Sequence, residues 1–442
     1  MNTNFKDSGI AWIGQIPKHW EVKKIKYCLK ENFGGCWGDD LENEQISQNS
    51  RLCIRVADFD FDKQKVKQTA DTFRNYTKSQ ILSTKLQDGD LIIEKSGGGD
   101  KMPVGRSVVF EQNLFGAKEV LFANFCQCFR PLNINNKFFA HTMKAFYQNN
   151  NMRFFFNQTT GIQNLSIFNI VNAFLPYPPL NEQKKIAEFL DKKCEIIDKR
   201  LNNLERKIKS LKEYKKSLIS ECVTKGLNPK NREFKDSQIS WIGQIPKHWK
   251  VTKIKYVTKL KTGGTPNNSF GINVENNGYP WITPANIDEN FNIKADKFIT
   301  EESLKISNFS LFYSNTILLI GIGATVGKIG YLLEKSYCNQ QITALIPFNI
   351  NSKFLLYYLH FIKHKIILEA STNTLPIINN KILNNISVIY PPLNEQKEIA
   401  EFLDKKCEKI DRLNENYTKQ ITTLKEYKKS LIYECVTGKK EI

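Results

Sequence analysis

The chain of 442 residues is 41% hydrophobic and 25% charged, a composition typical of a globular protein and sufficient for two or three domains. No apolar run approaches the roughly 18 residues that a bilayer span needs, and the first residues lack the pattern of a secretion signal, so we predict a cytoplasmic protein without a membrane segment. The chain carries 64 Lys and Arg against 45 Asp and Glu, and the net charge of +19 favours a polyanionic partner such as nucleic acid.

The chain opens with a block that occurs twice. Residues 5–27 read FKDSGIAWIGQIPKHWEVKKIKY, and residues 234–256 read FKDSQISWIGQIPKHWKVTKIKY. Self-similarity on this scale indicates a duplicated structural unit. We predict that the Trp-rich nonapeptide WIGQIPKHW packs at a junction, since no Cys, Ser or Asp lies at a repeated distance to form a catalytic group with His19 or His248.

An insert follows each copy of this block, at about residues 28–177 and 257–390, and the two inserts share little identity. Each has a paired glycine near its start, Gly34-Gly35 and Gly263-Gly264. Each later has an apolar run leading into a glycine-rich turn, in LIIEKSGGGDKMPVGRSVVF and in ILLIGIGATVGKIGYLLE. Apolar and β-branched runs separated by Gly, Pro and Asn predict short strands, loops and a few helices, and therefore two mixed α/β domains.

A second repeated block follows each insert. It reads PPLNEQKKIAEFLDKKCEIID from position 178, and it returns from position 391 with two changes, while LKEYKKSLI recurs intact at 211 and 424. Its apolar residues are spaced by three and four, which predicts two long helices with a heptad seam, the first capped by Asn181. Polar residues interrupt the seam at Lys215, Asn414 and Lys428. The predicted seam comprises Leu190, Ile197, Leu201, Leu204, Ile208, Leu211 and Leu218 in the first helix and Leu403, Ile410, Ile421, Leu424 and Leu431 in the second.

Together these elements predict an α+β fold with pseudo-two-fold symmetry. Two mixed α/β domains are joined by two long helices, each of which needs a partner for its apolar stripe, so we expect an intramolecular antiparallel coiled coil. The predicted segments are a first domain at 1–177, a first helix at 178–224, a linker at 225–233, a second domain at 234–390 and a second helix at 391–437.

The contrast between constant and divergent parts indicates what each part binds. Surfaces that meet two copies of one partner remain alike within the chain, whereas surfaces that meet two different targets diverge. The helices and the nonapeptides are therefore expected to meet duplicated copies of one partner, and the inserts two different short targets. For so basic a protein, duplex DNA read at two places is the favoured target.

These motifs resemble those of the specificity subunit of type I restriction-modification systems. The resemblance rests on the two PPLNEQ…IAEFLDKK blocks, the WIGQIPKHW openings, and TGGTP and GIGATVGKIG in the second insert. The first insert departs from it, with SGGGDKMPVGR in place of the second motif and no TGGTP. The resemblance implies that each insert is a target recognition domain for one half of a bipartite asymmetric DNA site, and that the helices set the spacing and dock two methyltransferase subunits. Restriction and translocase subunits complete such a complex, and S-adenosylmethionine, ATP and Mg²⁺ belong to these partners.

Polar residues in loop-like stretches of the inserts are the candidate base contacts, because Arg and Lys suit guanine whereas Asn and Gln suit adenine. In the first domain they are Lys95, Lys101, Arg106, Gln163 and Asn164, and in the second Lys261, Thr265, Asn286, Lys328 and Asn373.

The sequence supports a catalytic or metal site less well than it supports DNA recognition. GIGATVGKIG lacks the glycine and the Ser or Thr of a P-loop, and no methyltransferase motif is present. His360 and His364 have the spacing of a zinc pair but no third ligand, and the ten cysteines include no CxxC, so no metal site is predicted and the cysteines are expected to be buried thiols. We predict a non-catalytic subunit. Two alternatives remain open: a two-armed coiled-coil scaffold that binds proteins, and a stand-alone nuclease.

Overall fold

The structure is a computed structural model that describes residues 5–41, 45–159, 161–265, 272–273, 278–301, 304, 310–370 and 376–442. It divides into two compact units. The first unit comprises Met1–Leu204 with Lys419–Ile442, and the second comprises Glu205–Thr418. Each unit therefore contains one insert and parts of both long helices. In the described residues, no helix is both long and apolar enough to cross a bilayer.

A six-stranded sheet and a three-stranded sheet form the body of the first unit. Their strand orders are β4-β12-β9-β10-β7-β6 and β11-β5-β8, and two-stranded ribbons pair β1 with β2, β3 with β15 and β13 with β14. The strands are β1 (Phe5–Asp7), β2 (Gln15–Pro17), β3 (Glu21–Lys24), β4 (Leu29–Gly34), β5 (Ser50–Ile54), β6 (Phe59–Asp60), β7 (Lys65–Val66), β8 (Phe73–Asn75), β9 (Leu91–Glu94), β10 (Ser107–Val109), β11 (Val120–Phe122), β12 (Cys126–Pro131), β13 (Phe156–Thr159), β14 (Ile162–Leu165) and β15 (Phe174–Tyr177). The short helices are α1 (Lys78–Thr84), α2 (Asn136–Gln148) and α3 (Ile167–Ile170).

The second unit repeats the central part of this body. Its four-stranded sheet β19-β26-β23-β24 has the same order as β4-β12-β9-β10, and a second sheet has the order β20-β22-β21-β25. Ribbons pair β16 with β17 and β18 with β27. The strands are β16 (Phe234–Asp236), β17 (Gln244–Pro246), β18 (Lys250–Lys253), β19 (Thr258–Thr262), β20 (Ile272–Asn273), β21 (Tyr279–Ile282), β22 (Phe298–Ile299), β23 (Ile317–Ile320), β24 (Ile329–Tyr331), β25 (Tyr337–Cys338), β26 (Ile342–Pro347) and β27 (Ser387–Tyr390), and the helices are α5 (Ser352–Leu368) and α6 (Asn380–Asn385). The predicted mixed α/β inserts are thus confirmed as variants of one fold.

One glycine of the pair near the start of each insert lies where two backbone segments approach closely. The equivalent residue is the second glycine of the first pair but the first glycine of the second pair. A Cβ on Gly35 would lie 2.3 Å from the carbonyl oxygen of Ala123, and a Cβ on Gly263 would lie 2.2 Å from that of Cys338. Only glycine fits such positions. The structural equivalent of Gly263 is therefore Gly35, not Gly34, because a β-bulge places one additional residue in β4 where it pairs with β12.

The structure contains two long helices, α4 (Leu180–Lys225) and α7 (Leu393–Val436), which confirms that prediction. The first turn of α4 begins before the expected cap, because the carbonyl of Pro179 already accepts hydrogen bonds from the backbone N–H groups of Glu182 and Gln183. Asn181 therefore lies inside the helix and is not its N-cap, which corrects that expectation. At the other end, Gly226 adopts φ +78°, the left-handed conformation that commonly terminates a helix.

Within each unit the start of one long helix packs against the end of the other, so the two segments are antiparallel. In the first unit, Leu190 of α4 and Ile432 of α7 are both fully buried in one hydrophobic cluster. In the second unit, Leu403 of α7 and Ile219 of α4 share the equivalent cluster. Of the predicted seam residues, Leu190, Ile197, Leu201, Leu204, Leu403, Ile410 and Leu431 are buried, and Ile208, Leu211, Leu218, Ile421 and Leu424 are partly buried.

The lysines that interrupt the heptad pattern form ion pairs between the helices. Lys428 Nζ lies 2.6 Å from Asp198 Oδ1 in the first unit, and Lys215 Nζ lies 2.7 Å from Asp411 Oδ2 in the second. Lys428 also donates to the carbonyl of Asp62. The two pairs occupy equivalent positions of the repeated block, so an antiparallel arrangement brings the lysine of one copy to the aspartate of the other. Because a buried ammonium is costly without a partner, this pairing favours the antiparallel register.

The His and Trp residues at the end of the nonapeptide form hydrogen bonds with the first turn of a long helix. Trp20 Nε1 donates to Glu182 Oε2 at 2.8 Å, and His19 Nε2 lies 2.8 Å from Glu182 Oε1. Glu182 is in the first turn of α4, where a carboxylate is also favoured by the helix dipole. The repeated nonapeptide therefore has a packing role.

The second copy uses the same contacts and adds one. Glu395, in the first turn of α7, accepts hydrogen bonds from Trp249 Nε1 and Arg232, and it lies 2.6 Å from His248 Nε2. Burial by itself would raise the pKa of Glu395, but these hydrogen bonds outweigh burial and lower it. The carboxylate is thus stabilised in its charged form.

A buried glutamine in each PPLNEQ block joins the long helix to the body of its unit. Gln183 Oε1 accepts the backbone N–H of Asn135 at 2.8 Å, just before α2, and its Nε2 donates to the carbonyl of Pro178. Gln396 makes the same two bonds, to Asn351 N and to a proline carbonyl. These contacts explain why the motif is constant although the inserts differ.

An aspartate two turns further along adds a second joint, in which one partner is an equivalent lysine in both units and the other partner differs. Asp191 accepts from Lys137 Nζ at 2.7 Å and lies 2.9 Å from His141 Nε2, both on α2. In the second unit Asp404 accepts from Lys353 Nζ and, at 2.8 Å, from Tyr357 OH. Each body is therefore held on its helix by residues that the repeat conserves on the helix side.

His360 is a packed residue of α5. Its ring lies 5.0 Å from the ring of Phe291, edge to face. Burial, with a smaller contribution from Lys215 and Lys363, lowers the pKa of His360 to about 4. In the described residues, no group of three or more His, Cys, Asp and Glu is placed to hold a metal ion. All ten cysteines are free thiols, and every one except Cys36 is buried.

The lowered pKa of His360 predicts an acid-sensitive stability. As the pH falls below about 6.5 the unfolded chain binds a proton that the folded protein accepts only near pH 4, so stability is lost across this window. We expect urea unfolding to show a loss of about 2 kcal/mol between pH 7 and pH 5 from this residue. His360→Phe should remove that part of the pH dependence, whereas His364→Asn, at an exposed position one turn further on, should retain it. An identical pH dependence in the His360→Phe variant would contradict the assignment.

Candidate nucleic-acid interface

The glycine-rich turn of the first unit is closed at the end of β9. Gly105 N donates to the carbonyl of Glu94 at 3.0 Å, and Glu94 N donates to the carbonyl of Arg106 at 2.8 Å. Residues 95–104 therefore project as a loop from the edge between β9 and β10. The positive φ of Gly105, 102°, permits this closure.

The second unit closes its turn with the same bonds. Gly327 N donates to the carbonyl of Ile320 at 2.8 Å, and Ile320 N donates to the carbonyl of Lys328 at 2.9 Å. The Gly-basic pairs Gly105-Arg106 and Gly327-Lys328 are thus structurally equivalent. The enclosed loop is shorter in the second unit, where it spans residues 321–326.

A second segment lies beside each turn. In the first unit the ribbon of β13 and β14 is attached to it, because Leu165 N donates to the carbonyl of Lys95 at 2.7 Å and Ser96 Oγ donates to Asn164 Oδ1 at 2.6 Å. In the second unit Ile378 N donates to the carbonyl of Gly321 at 2.8 Å. The chain thus presents a turn and a flanking segment together in both units.

The structure brings all five first-domain candidates to this place. Lys95 and Asn164 lie on either side of the junction of the turn with the ribbon, and Asn164 is exposed. Lys101 is exposed within the turn itself. Arg106 is held by its strand partner Glu94, whose carboxylate accepts from Nε at 2.8 Å and from Nη2 at 2.9 Å.

Gln163 has a structural role. Its side chain is buried, its Oε1 accepts the backbone N–H of Val104 at 3.2 Å, and its Nε2 lies 3.4 Å from Gln158 Oε1. These bonds hold the glycine-rich turn against the ribbon. The expectation that Gln163 contacts a base is therefore corrected: the residue positions the turn.

The candidates of the second domain are more scattered. Lys261 and Thr265 are exposed at the end of β19 and just beyond it, where Thr265 donates to the side chain of Gln340. Lys328 is partly buried, and its Nζ lies 3.7 Å from Glu289 Oε1. Asn373 lies outside the described residues.

The expectation that Asn286 contacts a base is also corrected. Its Oδ1 accepts from both the backbone N–H and the hydroxyl of Thr283 at 2.8 Å. Its Nδ2 donates to the carbonyl of Lys294 at 2.9 Å and to Asp296 Oδ1 at 2.7 Å. The buried amide is fully satisfied by Thr283, Lys294 and Asp296, so it cannot also serve a base edge.

Glu94 is a further residue of this site, and it is absent from the candidates predicted from the sequence. Its side chain is almost completely buried, yet it is charged and stands at the position occupied by Ile320 in the second unit. A single carboxylate at the end of the otherwise apolar run LIIE was the available signal. Such a residue in an apolar strand is expected to have a specific partner, and here that partner is Arg106.

Two relatives align with this sequence over nearly its whole length. The chain is 26% identical to a putative type I restriction enzyme MjaX specificity subunit of Methanocaldococcus jannaschii, over 99% of this chain and 96% of that protein. It is 25% identical to the type I restriction enzyme StySPI specificity subunit of Salmonella potsdam, over 96% of this chain and 90% of the relative.

Solved structures share the fold. A structure reported for the complex assembly and conformational transition of the type I R-M system matches with a TM-score of 0.71 at 16% identity, over 95% of this chain and 98% of that one. The HsdS subunit of Thermoanaerobacter tengcongensis matches with a TM-score of 0.54 at 16% identity, over 96% and 98%. The family described as type I restriction modification DNA specificity domain matches residues 60–209 and 246–423, more than half of the chain. With two matches that fall on its two inserts and helices, the chain belongs to the type I restriction-modification DNA specificity family.

Proposed function

We propose that each unit reads one half of a bipartite, asymmetric DNA site and that the chain is the non-catalytic specificity subunit of a type I restriction-modification complex. The observation that carries this proposal is the pair of equivalent turns. They stand at the same place on the same sheet, closed by the same backbone bonds, but with different polar side chains. One scaffold with two different reading surfaces suits two different half-sites.

The proposed base and phosphate contacts are the sequence candidates other than Gln163 and Asn286. They are Lys95, Lys101, Arg106 and Asn164 in the first unit and Lys261, Thr265, Lys328 and Asn373 in the second. Arg106 is the strongest of them for guanine. Because Glu94 holds its Nε and Nη2, the guanidinium has a fixed orientation and loses little freedom when it binds.

We further propose that the long helices set the distance between the half-sites and dock two copies of a methyltransferase subunit, to which restriction and translocase subunits are added. Support comes from apolar residues that are identical and exposed at equivalent positions of the repeat, since duplicated surfaces suit duplicated partners. They are Tyr27 and Tyr256, Leu180 and Leu393, and Tyr214 and Tyr427. We place the complex in the cytoplasm and assign S-adenosylmethionine, ATP and Mg²⁺ to the partner subunits.

Sequencing of methylated adenines in a host with and without this gene, in the presence of its methyltransferase partner, tests the proposal. We expect a motif of two short unlike parts separated by an unread gap, present only with the gene. The absence of any gene-dependent motif, or a single uninterrupted motif, would contradict the proposal.

Two simpler measurements distinguish the alternative functions. A protein-binding scaffold should show no steep loss of DNA affinity with salt, whereas phosphate contacts produce one. A stand-alone nuclease should cleave DNA with Mg²⁺ and no added subunits. We expect salt-dependent DNA binding and no cleavage by the chain by itself.

A further inference from the structure

The glycine-rich turn of the first unit contains a miniature hairpin. Gly99 N donates to the carbonyl of Met102 at 3.0 Å, and Met102 N donates to the carbonyl of Gly99 at 3.1 Å, with Asp100 and Lys101 at the tip. The equivalent loop of the second unit, residues 321–326, is shorter than residues 95–104. The hairpin is therefore an addition to the first reading surface.

The hairpin exposes a large apolar side chain among cations. Met102 is 59% exposed, and its Sδ lies 3.9 Å from Nη1 of Arg106. The positive charges of Lys95, Lys101 and Arg106 belong to the same turn or to its closing strand. An exposed apolar residue is common on protein surfaces, so exposure by itself assigns no role.

The orientation of Arg106, in contrast, indicates a role for Met102. Its Nε and Nη2 are directed to Glu94, which leaves Nη1, the nitrogen beside Met102, as the donor that faces away from the buried pair. A hydrogen-bond donor and a thioether thus stand next to each other at a fixed position. Together they form a surface that is half polar and half apolar.

In the major groove of DNA, a guanine next to a thymine presents hydrogen-bond acceptors beside an apolar methyl group, which matches this donor and thioether. Guanine presents the acceptors O6 and N7, and the 5-methyl group of thymine is the apolar feature of these edges. We propose that Met102 contacts the 5-methyl group of a thymine next to a guanine bound by Arg106, in the half-site read by the first unit. This inference rests on the proposed function and names a specificity-determining residue for it.

The test uses the full chain in complex with its methyltransferase subunits and a duplex containing the site found by methylated-adenine sequencing. Each thymine of the half-site read by the first unit is replaced in turn by deoxyuridine, which lacks only the methyl group. Dissociation constants are measured by fluorescence anisotropy. We expect one replacement to weaken binding by the parent protein about fourfold, the effect of one buried methyl group.

Variants separate this contact from general effects. Met102→Ala should bind the thymine and deoxyuridine duplexes equally, and Met102→Leu should still prefer thymine. Leu82→Ala removes an apolar residue on α1 of the same unit that is even more exposed than Met102, and it should behave as the parent. Equal thermal stability of the variants excludes misfolding.

Three results would overturn the inference: a half-site without thymine, no sensitivity to any deoxyuridine, or the same sensitivity in Met102→Ala. In each of these cases sequence-specific binding of the complex is retained, so the proposed function stands. Loss of sequence-specific binding by the parent protein, in contrast, would remove the proposed function itself.

Discussion

Leu190→Asp is expected to unfold the first unit while the second remains folded. Leu190 is fully buried in a cluster that joins α4, α7 and the body of the first unit. The substitution loses the burial of a leucine and places a carboxylate without a partner in an apolar core, so a destabilisation of more than about 4 kcal/mol is expected. Hydrogen exchange should show protection lost in 1–204 and 419–442, with protection retained in 205–418.

A matched control lies on the same helix. Ile196 is 54% exposed, so Ile196→Asp changes the same kind of side chain without burying a charge and should alter stability by less than about 1 kcal/mol. Leu403→Asp should produce the converse result and remove protection from the second unit. Equal loss of protection in both units from Leu190→Asp would show that they do not unfold separately.

Replacement of residues 257–390 by residues 28–177 is expected to make the two halves of the recognised site alike. Each insert ends in the same two-stranded ribbon, in which Glu21 pairs with Tyr177 and Lys250 pairs with Tyr390. The last strand of the exchanged insert can therefore pair with the strand Lys250–Lys253 as the original strand does. The glutamine that joins helix and body, Gln396, also meets a backbone N–H that the other insert supplies at Asn135.

Methylated-adenine sequencing measures the outcome. The half-site read by the first unit should be unchanged, and the other should become its inverted copy, because each unit carries its own reading surface. A return of residues 257–390 in a second exchange should restore the original asymmetric site. A change in both halves would contradict independent reading by the two units.

The duplication, the two long helices and the mixed α/β nature of the inserts could be determined from the sequence, because each depends on local information. A heptad pattern is written along one segment, and a repeat is visible by comparison of the chain with itself. The Gly-basic pairs of the two turns were also visible, since glycine at a turn is required by the backbone conformation at that residue.

Only the tertiary structure decided which polar residues are free to bind and which hold the fold together. Lys215 and Lys428 interrupt the heptad pattern, and their role depends on Asp411 and Asp198, which lie opposite them on the other helix. Asn286 is a residue type that suits a base contact, but Thr283, Lys294 and Asp296 occupy every hydrogen-bonding group of its side-chain amide. The physical reason is that a hydrogen bond or an ion pair depends on distance in space, and residues far apart in the chain have no local pattern that reveals their meeting.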